Sequence, residues 1–309
     1  MSFTILADVT CDLSPELQKR FGIEVIPGHI TLPDKTERPS RCEWDFMPQK
    51  DFYASLRRKD AVYTTSPANI TEFSLAFQEH LKKGEDVLCL TISSGLSGTY
   101  DFACRGAEEA MAACPGRRVI CVDTKRYTSL FGLMAIHASL HRAAGESLDE
   151  TAAWLLANRD RFHQMGWLDD LTFVARKGRV SGSAAFFGTL VGIKPLGEID
   201  RSGKTTVLGK AKGERAGLDA ILRYMEKTIE NPSEQIVVIA YSDRKRQAEL
   251  LVELVRETFA PKEILLTEVY PANGVNVGPG LMSAYYFGKP ISEDLAEEKA
   301  LIDHILGKA

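Results

Sequence analysis

The sequence lacks the features that mark several classes of protein. None of its apolar runs approaches the roughly 18 residues that a membrane span needs. The N-terminus carries no basic segment ahead of an apolar one, so we expect no signal peptide and a cytoplasmic location. The 38 basic side chains are balanced by 42 acidic ones, which disfavours the concentrated positive face that nucleic-acid binding requires.

The motifs of metal and redox sites are also missing. The six cysteines form no C-x-x-C pair, and the six histidines form no H-E-x-x-H or H-x-x-E-H pattern. Cys89 and Cys121 lie inside apolar runs, where cysteine usually acts as a small hydrophobic residue. We therefore predict reduced thiols, no bound metal and no cofactor.

The composition that remains is that of an ordinary globular protein. Of the 309 residues, 44% are hydrophobic and 26% are charged. At roughly 150 residues per domain, the length favours two domains. The residue pattern changes after about residue 160, and glycine becomes frequent between residues 178 and 217. We therefore predict an N-terminal α/β domain at 1–160 and a C-terminal α+β domain at 161–309.

Short apolar runs alternate with helical patterns along the first domain. Such runs are typical of parallel strands that are buried on both faces. Ser14 and Ser147 stand where they would cap helices, and Pro15 suits a first helical position. Residues 33–44 resemble a loop. The predicted strands are 3–8, 23–27, 87–93, 119–123, 236–241 and 264–270, and the predicted helices are 14–21, 45–59, 70–83, 97–113, 127–144, 148–161 and 244–258.

Polar residues follow three of the predicted strands of the first domain. Asp8 ends the first strand, the segment 93–100 (SSGLSGTY) follows a second, and Asp123 ends a third. In an open α/β sheet, ligands bind outside the carboxyl ends of the strands. The segment 93–100 leads into a helix N-terminus, whose free N–H groups favour a carboxylate or a phosphate. The alternative is that Ser97 only caps the helix and the glycines only allow a tight turn.

Three further segments carry polar residues, and each has a plain structural explanation when taken alone. Hydroxyl residues at 64–69 (TTSPAN) are common before a proline in loops and caps. The basic residues at 176–179 (RKGR) would most often be a solvated cluster. The segment 273–280 (NGVNVGPG) contains a Gly-Pro-Gly sequence, which forces a turn, and we place it on a loop.

Taken together and in order, these segments resemble the DegV family, whose members bind long-chain fatty acids. The resemblance extends over nearly the whole chain, and the segment 92–100 fits the family form without change. Three positions depart from it: Ser66 replaces a Gln, Lys177 replaces a Gly, and Asn276 replaces a His. The segments that carry the resemblance are 8–13 (DVTCDL), 64–67 (TTSP), 92–100 (ISSGLSGTY), 122–124 (VDT), 177–181 (KGRVS), 194–195 (KP) and 277–280 (VGPG).

The resemblance implies both a fold and a function. The fold would be a Rossmann-like parallel-sheet domain followed by an α+β domain, with a lipid tunnel between them. Thr64, Ser94 and Ser97 would hold the fatty-acid carboxylate, with Ser97 favoured over Ser94. Arg179 and Asn276 would lie at the head-group end or contact a partner. Asn276 can donate and accept hydrogen bonds, but it cannot become a cation as His can.

The resemblance further implies a carrier rather than an enzyme. The chain would present its fatty acid to an ATP-dependent fatty acid kinase, which makes the acyl phosphate for phospholipid synthesis. One alternative is a small phosphotransferase or hydrolase with Ser94 or Ser97 as nucleophile, but such a serine needs an adjacent base. A second alternative is a regulatory protein without a ligand. Lipid extraction from the purified protein discriminates among the three.

Overall fold

The computed structural model describes residues 3–58, 60–176, 180–181 and 192–308, and these residues form two compact units. The first unit consists of residues 1–46, 59–159 and 270–273, and the second consists of 47–58, 160–269 and 274–309. These units differ from the predicted domains, 1–160 and 161–309, mainly in two short segments. Residues 47–58 belong to the second unit, and residues 270–273 belong to the first.

The elements of the first half of the chain alternate as the apolar pattern predicts. In chain order they are β1 (Phe3–Asp8), α1 (Pro15–Phe21), β2 (Ile23–Ile26), β3 (Gly28–Thr31), β4 (Glu37–Ser40), α2 (Gln49–Leu56), β5 (Thr64–Ser66), α3 (Ile70–Leu81), β6 (Asp86–Thr91), α4 (Thr99–Ala113), β7 (Val119–Asp123), α5 (Thr128–Ala143) and α6 (Leu148–Asn158).

A parallel sheet with the strand order β2-β1-β6-β7 forms the centre of the first unit. Its register aligns Ile5 with Ile23 on one side and with Leu88 on the other. Leu88 and Cys89 are fully buried, as expected for strands that helices cover on both faces. The expectation of a parallel-sheet α/β domain is therefore confirmed. Because the three strands β1, β6 and β7 are neighbours, their polar C-terminal ends lie along one edge.

Two helices of this unit begin where their capping residues predict. The Ser14 hydroxyl accepts a hydrogen bond from the Leu17 N–H (3.3 Å), and Pro15 is the first helical residue of α1. Ser147 and Glu150 form a reciprocal capping box at the start of α6. Each cap satisfies N–H groups that a helix N-terminus leaves without an intrahelical partner.

A small antiparallel sheet with the order β4-β3-β5 accompanies the parallel one. The loop predicted at 33–44 was therefore wrong in part, because Glu37–Ser40 pairs with β3. The helix predicted from residue 45 begins only at Gln49, after Pro48. Proline disfavours helical geometry in the residue that precedes it, which explains the late start.

The second half of the chain contains a mixed sheet with the order β13-β12-β14-β8-β10-β11-β9. Most of its strands pair antiparallel, which confirms the expected α+β character of this part. Its elements are β8 (Phe162–Leu168), α7 (Thr172–Arg176), β9 (Val180–Ser181), β10 (Ile193–Ile199), β11 (Thr205–Lys212), α8 (Glu214–Thr228), β12 (Ile236–Tyr241), α9 (Lys245–Phe259), β13 (Glu263–Glu268), α10 (Pro271–Val277), β14 (Leu281–Phe287) and α11 (Ala296–Ile305).

A buried polar pair lies within the core of this second sheet. His163 Nδ1 is 2.8 Å from Glu198 Oε2, and both side chains are almost fully buried. Glu198 Oε1 also accepts hydrogen bonds from the N–H groups of Gln164 and Ile199, at 2.8 Å each. The burial of these groups is tolerated because their hydrogen-bonding atoms have partners.

The Gly-Pro-Gly segment follows a helix rather than a loop. Residues 271–277 form α10, so the loop predicted over 273–280 was wrong for its first part. Gly278 then adopts a φ of 75°, and its carbonyl accepts a hydrogen bond from the Ser242 hydroxyl (2.7 Å). A Cβ at this position would lie 2.4 Å from Phe173 Cδ2, so both the backbone angle and the space require glycine.

Candidate functional site

Two carboxylates accept hydrogen bonds from the segment 93–97, which we call the serine turn, and from the residue just before it. The turn follows β6, the middle one of the three strands. Asp8, at the end of β1, accepts a hydrogen bond from the Ile92 N–H (2.6 Å). Asp123, at the end of β7, accepts one from the Ser94 N–H (3.1 Å). The carboxyl ends of the three strands are thus joined by hydrogen bonds.

The pKa values of these two carboxyl groups shift in opposite directions. Burial raises the pKa of Asp8, and its hydrogen bonds from Thr10 and Ile92 only partly oppose that effect. Burial also acts to raise the pKa of Asp123, but hydrogen bonds from Lys125 and Ser94 outweigh it and lower the pKa. Asp123 is therefore the more acidic carboxyl group of the pair.

The backbone donors of the serine turn are largely satisfied within the protein. The N–H of Ser94 donates to Asp123, and the N–H of Gly95 donates to the Ser93 hydroxyl (3.1 Å). The N–H groups of Leu96 and Ser97 both donate to the Ser93 carbonyl, at 3.0 and 3.2 Å. The N–H groups of residues 94–97 are therefore engaged within the protein. A ligand that contacts these four residues has to be recognised by their side chains.

The side chains of Ser94 and Ser97 lie in the same turn but in different surroundings. Ser94 is exposed, and its hydroxyl oxygen accepts a hydrogen bond from Lys125 Nζ (2.6 Å). Ser97 is partly buried, and its hydroxyl is 2.8 Å from the hydroxyl of Thr99. The helix α4 begins at Thr99 with Gly98 as its N-cap residue, so Ser97 precedes the cap position.

Lys125 is the residue of this edge that sequence reasoning missed. Its ammonium group lies 2.8 Å from Asp123 Oδ2 as well as 2.6 Å from the Ser94 hydroxyl. A signal for it did exist, because Lys125 stands only two residues after the end of β7, where polar groups of a parallel sheet converge. A lysine in such a position is, however, more often a solvated side chain, so the sequence alone does not single it out.

The other predicted site residues occupy separate places. Thr64 is exposed on β5, in the small antiparallel sheet. Asn276 is partly buried on α10 in the second unit. Arg179 lies outside the described residues. The structure thus brings Ser94 and Ser97 together in one turn, and the roles of all five residues stay predictions.

Asn273, at the start of the same motif as Asn276, has a structural role in the first unit. Its side-chain amide donates to Asp12 Oδ2 and to the Thr10 carbonyl, at 2.8 Å each. Asp12 is fully buried, and burial raises its pKa well above the usual range. Asn273 therefore forms hydrogen bonds with the segment that follows β1.

The arrangement around Ser94 does not favour nucleophilic catalysis. A serine beside a lysine can act as a nucleophile only if the lysine is neutral and accepts the proton. Lys125 Nζ is instead paired with the Asp123 carboxylate, at 2.8 Å. Within the described part of the chain, no histidine forms a hydrogen bond with Ser94 or Ser97.

Two kinds of feature are absent from the described residues. No group of three or more His, Cys, Asp or Glu side chains is arranged to hold a metal ion among residues 3–58, 60–176, 180–181 and 192–308. Over the same residues, no helix has both the length and the apolar character needed to cross a bilayer.

Comparison with known proteins identifies the family. The family model described as "Uncharacterised protein, DegV family" matches residues 2–289. A DegV domain-containing protein of Clostridium perfringens is 33% identical over 286 residues, which cover 93% of this chain and 97% of that protein.

Solved structures agree with this assignment. One is a fatty-acid-binding DegV family protein of Thermus thermophilus, which is 28% identical to this chain. The two structures superpose with a TM-score of 0.81 over 94% of this chain and 100% of the Thermus thermophilus chain. The Streptococcus pneumoniae Fatty Acid Kinase (Fak) B3 protein, loaded with linoleic acid, has a TM-score of 0.79 over 94% of this chain and 100% of its own. It is only 17% identical, so it supports the fold alone. From the family match and the relative in Clostridium perfringens, the chain belongs to the DegV family.

Proposed function

We propose that this protein binds a long-chain fatty acid and places its carboxylate at the serine turn. The observation that carries the proposal is the pair of hydroxyl groups of Ser94 and Ser97 in one turn at the carboxyl edge of a parallel sheet. Membership of the DegV family and the fatty acid binding described for the Thermus thermophilus relative support the choice of ligand. Thr64 is proposed as a further hydroxyl donor to the carboxylate.

The energetics of such a ligand separate affinity from orientation. Each buried CH₂ group contributes about 0.8 kcal/mol, so roughly 14 methylenes give on the order of 11 kcal/mol before ordering costs. A hydrogen bond to a charged carboxylate contributes only about 1.5–3 kcal/mol. The tail therefore sets the affinity, and the hydroxyl groups set the position of the head group.

The fate of the bound lipid is the second part of the proposal. The protein would present the carboxylate to a separate fatty acid kinase, which phosphorylates it at the expense of ATP. This choice of partner follows from the resemblance of the sequence to the DegV family, and the Streptococcus pneumoniae Fak B3 protein has the same fold. Arg179 and Asn276 would contact the head-group end or the kinase. The lysine–aspartate pair beside Ser94 is consistent with carriage rather than chemistry.

The ligand is tested by extraction of the purified protein with chloroform and mass spectrometry of the extract. We expect a copurified monocarboxylic acid with a long alkyl chain. The substitutions Thr64→Val and Ser97→Ala should each weaken retention of palmitate roughly 10- to 100-fold. Thr258→Val and Ser202→Ala make the same changes at exposed positions in the second unit and should have no effect. A bare protein that does not take up added palmitate would exclude the proposal.

Presentation to a kinase needs a separate measurement. The palmitate-loaded protein is incubated with ATP and a purified fatty acid kinase of the same organism, and hydroxylamine traps any acyl phosphate as a hydroxamate. We expect the hydroxamate only when both proteins are present. Equal formation from free palmitate would show that the kinase does not need this carrier.

A further inference from the structure

Lys125 differs from an ordinary solvated lysine in its backbone conformation, its hydrogen bonds and its exposure. Its backbone φ is 53°, in the left-handed region that lysine rarely adopts. This conformation directs the chain after β7 so that the Asp123 carboxylate accepts both the N–H of Lys125 (3.1 Å) and its ammonium (2.8 Å). The side chain is 22% exposed, so the charge is only partly solvated.

The hydrogen bonds at this ammonium leave one donor available. A lysine ammonium has three N–H groups and no acceptor. Two of them are directed to Asp123 Oδ2 and to the Ser94 hydroxyl oxygen, and these are the partners that Lys125 Nζ has within the described residues. The Ser94 N–H in turn donates to Asp123 Oδ1 (3.1 Å), so the three residues form a closed group.

The charge of this group determines which head group it favours. Asp123 and Lys125 together are neutral, so a carboxylate that arrives at Ser94 is not repelled by a net negative charge. The third N–H of the ammonium can donate to the carboxylate, and such charge-assisted bonds are about twice as strong as neutral ones. A hydroxyl head group gains much less from the same N–H.

We propose that Lys125 is a specificity-determining residue of the serine turn, where its ammonium donates to an anionic head group and makes the site prefer a fatty acid to a neutral lipid of equal length. This inference rests on the proposed function, because it places the head group at Ser94. From the sequence we expected hydroxyl groups at the carboxylate and Arg179 at the head-group end or in contact with a partner. The inference adds the Lys125 ammonium to this site.

The test compares two lipids that differ only in the head group. Delipidated full-length protein is incubated with an equimolar mixture of palmitate and 1-hexadecanol, separated from free lipid, and extracted. The measured quantity is the ratio of bound palmitate to bound hexadecanol. Partial loss of folded protein does not change this ratio, because both lipids are lost with the fold. The variants are Lys125→Met, which removes the charge, and Lys125→Arg, which keeps it.

The expected results are specific. Wild type should favour palmitate, Lys125→Met should lower the ratio at least about tenfold, and Lys125→Arg should restore most of it. A ratio in Lys125→Met within twofold of the wild-type ratio would overturn the inference while leaving fatty-acid binding intact. Wild-type protein that retains neither lipid would instead refute the proposed function.

Discussion

Replacement of Asp123 by Asn gives the sharpest test of the electrostatics of the serine turn. The change keeps the size of the side chain and one oxygen that can accept the Ser94 and Lys125 N–H groups, each 3.1 Å away in the wild type. It removes the negative charge that pairs with the Lys125 ammonium. We therefore expect the folded protein to become less stable and its affinity for a fatty acid to rise.

The size of the gain in affinity follows from the distances. Asp123 Oδ2 lies 2.8 Å from Lys125 Nζ, and a ligand oxygen bonded to the same nitrogen would be at a similar distance. The two oxygens would then be at most about 5.6 Å apart. At this separation, repulsion between two unit charges is about 0.7 kcal/mol at the dielectric constant of water and about 3 kcal/mol at an effective value of 20. Solvent exposure of Lys125 and salt reduce it, so we expect a gain of roughly 3- to 10-fold.

The assay is competition between palmitate and hexadecanol together with urea unfolding. Asp123→Asn should raise the bound ratio of palmitate to hexadecanol and lower the free energy of unfolding by about 1–2 kcal/mol. Asp149→Asn is the matched control, because Asp149 pairs with Arg118 (2.5 Å) before the start of β7, at the end of that strand opposite to Asp123. It should leave the ratio unchanged. A fall in the ratio for Asp123→Asn would refute the reasoning, because loss of a nearby negative charge cannot weaken the binding of an anion to an intact site.

Two further predictions concern stability. Burial, and then the neighbouring His141, lower the pKa of His137 from 6.5 to about 4. The unfolded chain therefore binds the proton more tightly, and this contribution to stability is present above about pH 6.5 and lost as the pH falls toward 4. His137→Gln should remove about 1–3 kcal/mol of the difference in unfolding free energy between pH 7 and pH 4, measured in urea at both pH values; an unchanged difference would exclude His137 as its source. Gly278→Ala should lower the stability by about 2–4 kcal/mol, since it combines a left-handed backbone with a close contact to Phe173, whereas Gly307→Ala, at a φ of 68° with no neighbour within 4 Å, should cost only about 1 kcal/mol. Equal melting temperatures for these two variants would contradict the steric argument.

Local signals explain which parts of the fold were predictable. The strand 119–123 and the strand 236–241 were placed at their observed bounds, because each is an uninterrupted apolar run. The start of α6 was evident from its capping residues. β8 was not located, because the polar residues His163 and Gln164 interrupt its apolar pattern. The hydrogen-bond partner of His163 is Glu198, which lies 35 residues away in the sequence. Only the tertiary structure shows that these two polar side chains pair with each other.

In the candidate site, too, the residues with a local sequence pattern were predictable and the long-range contacts were not. Asp8, Asp123 and the serine turn were found because polar residues at the ends of apolar strands form a local pattern. The hydrogen bonds of the turn were not foreseen, since the acceptor of the Ser94 N–H is 29 residues away. Lys125 was missed for a similar reason. Its contact with Ser94, 31 residues away, depends on β6 and β7 being neighbours in the sheet.

The internal hydrogen bonding of the serine turn also bears on competition by small anions. An inorganic phosphate ion usually binds proteins through several backbone N–H groups that converge on it. In this turn those groups already donate to Asp123 and to Ser93. Phosphate would therefore gain too few hydrogen bonds to repay the loss of its hydration, whereas an amphiphile gains the free energy of its tail. If the turn holds a fatty-acid carboxylate as proposed, inorganic phosphate should therefore compete poorly with it.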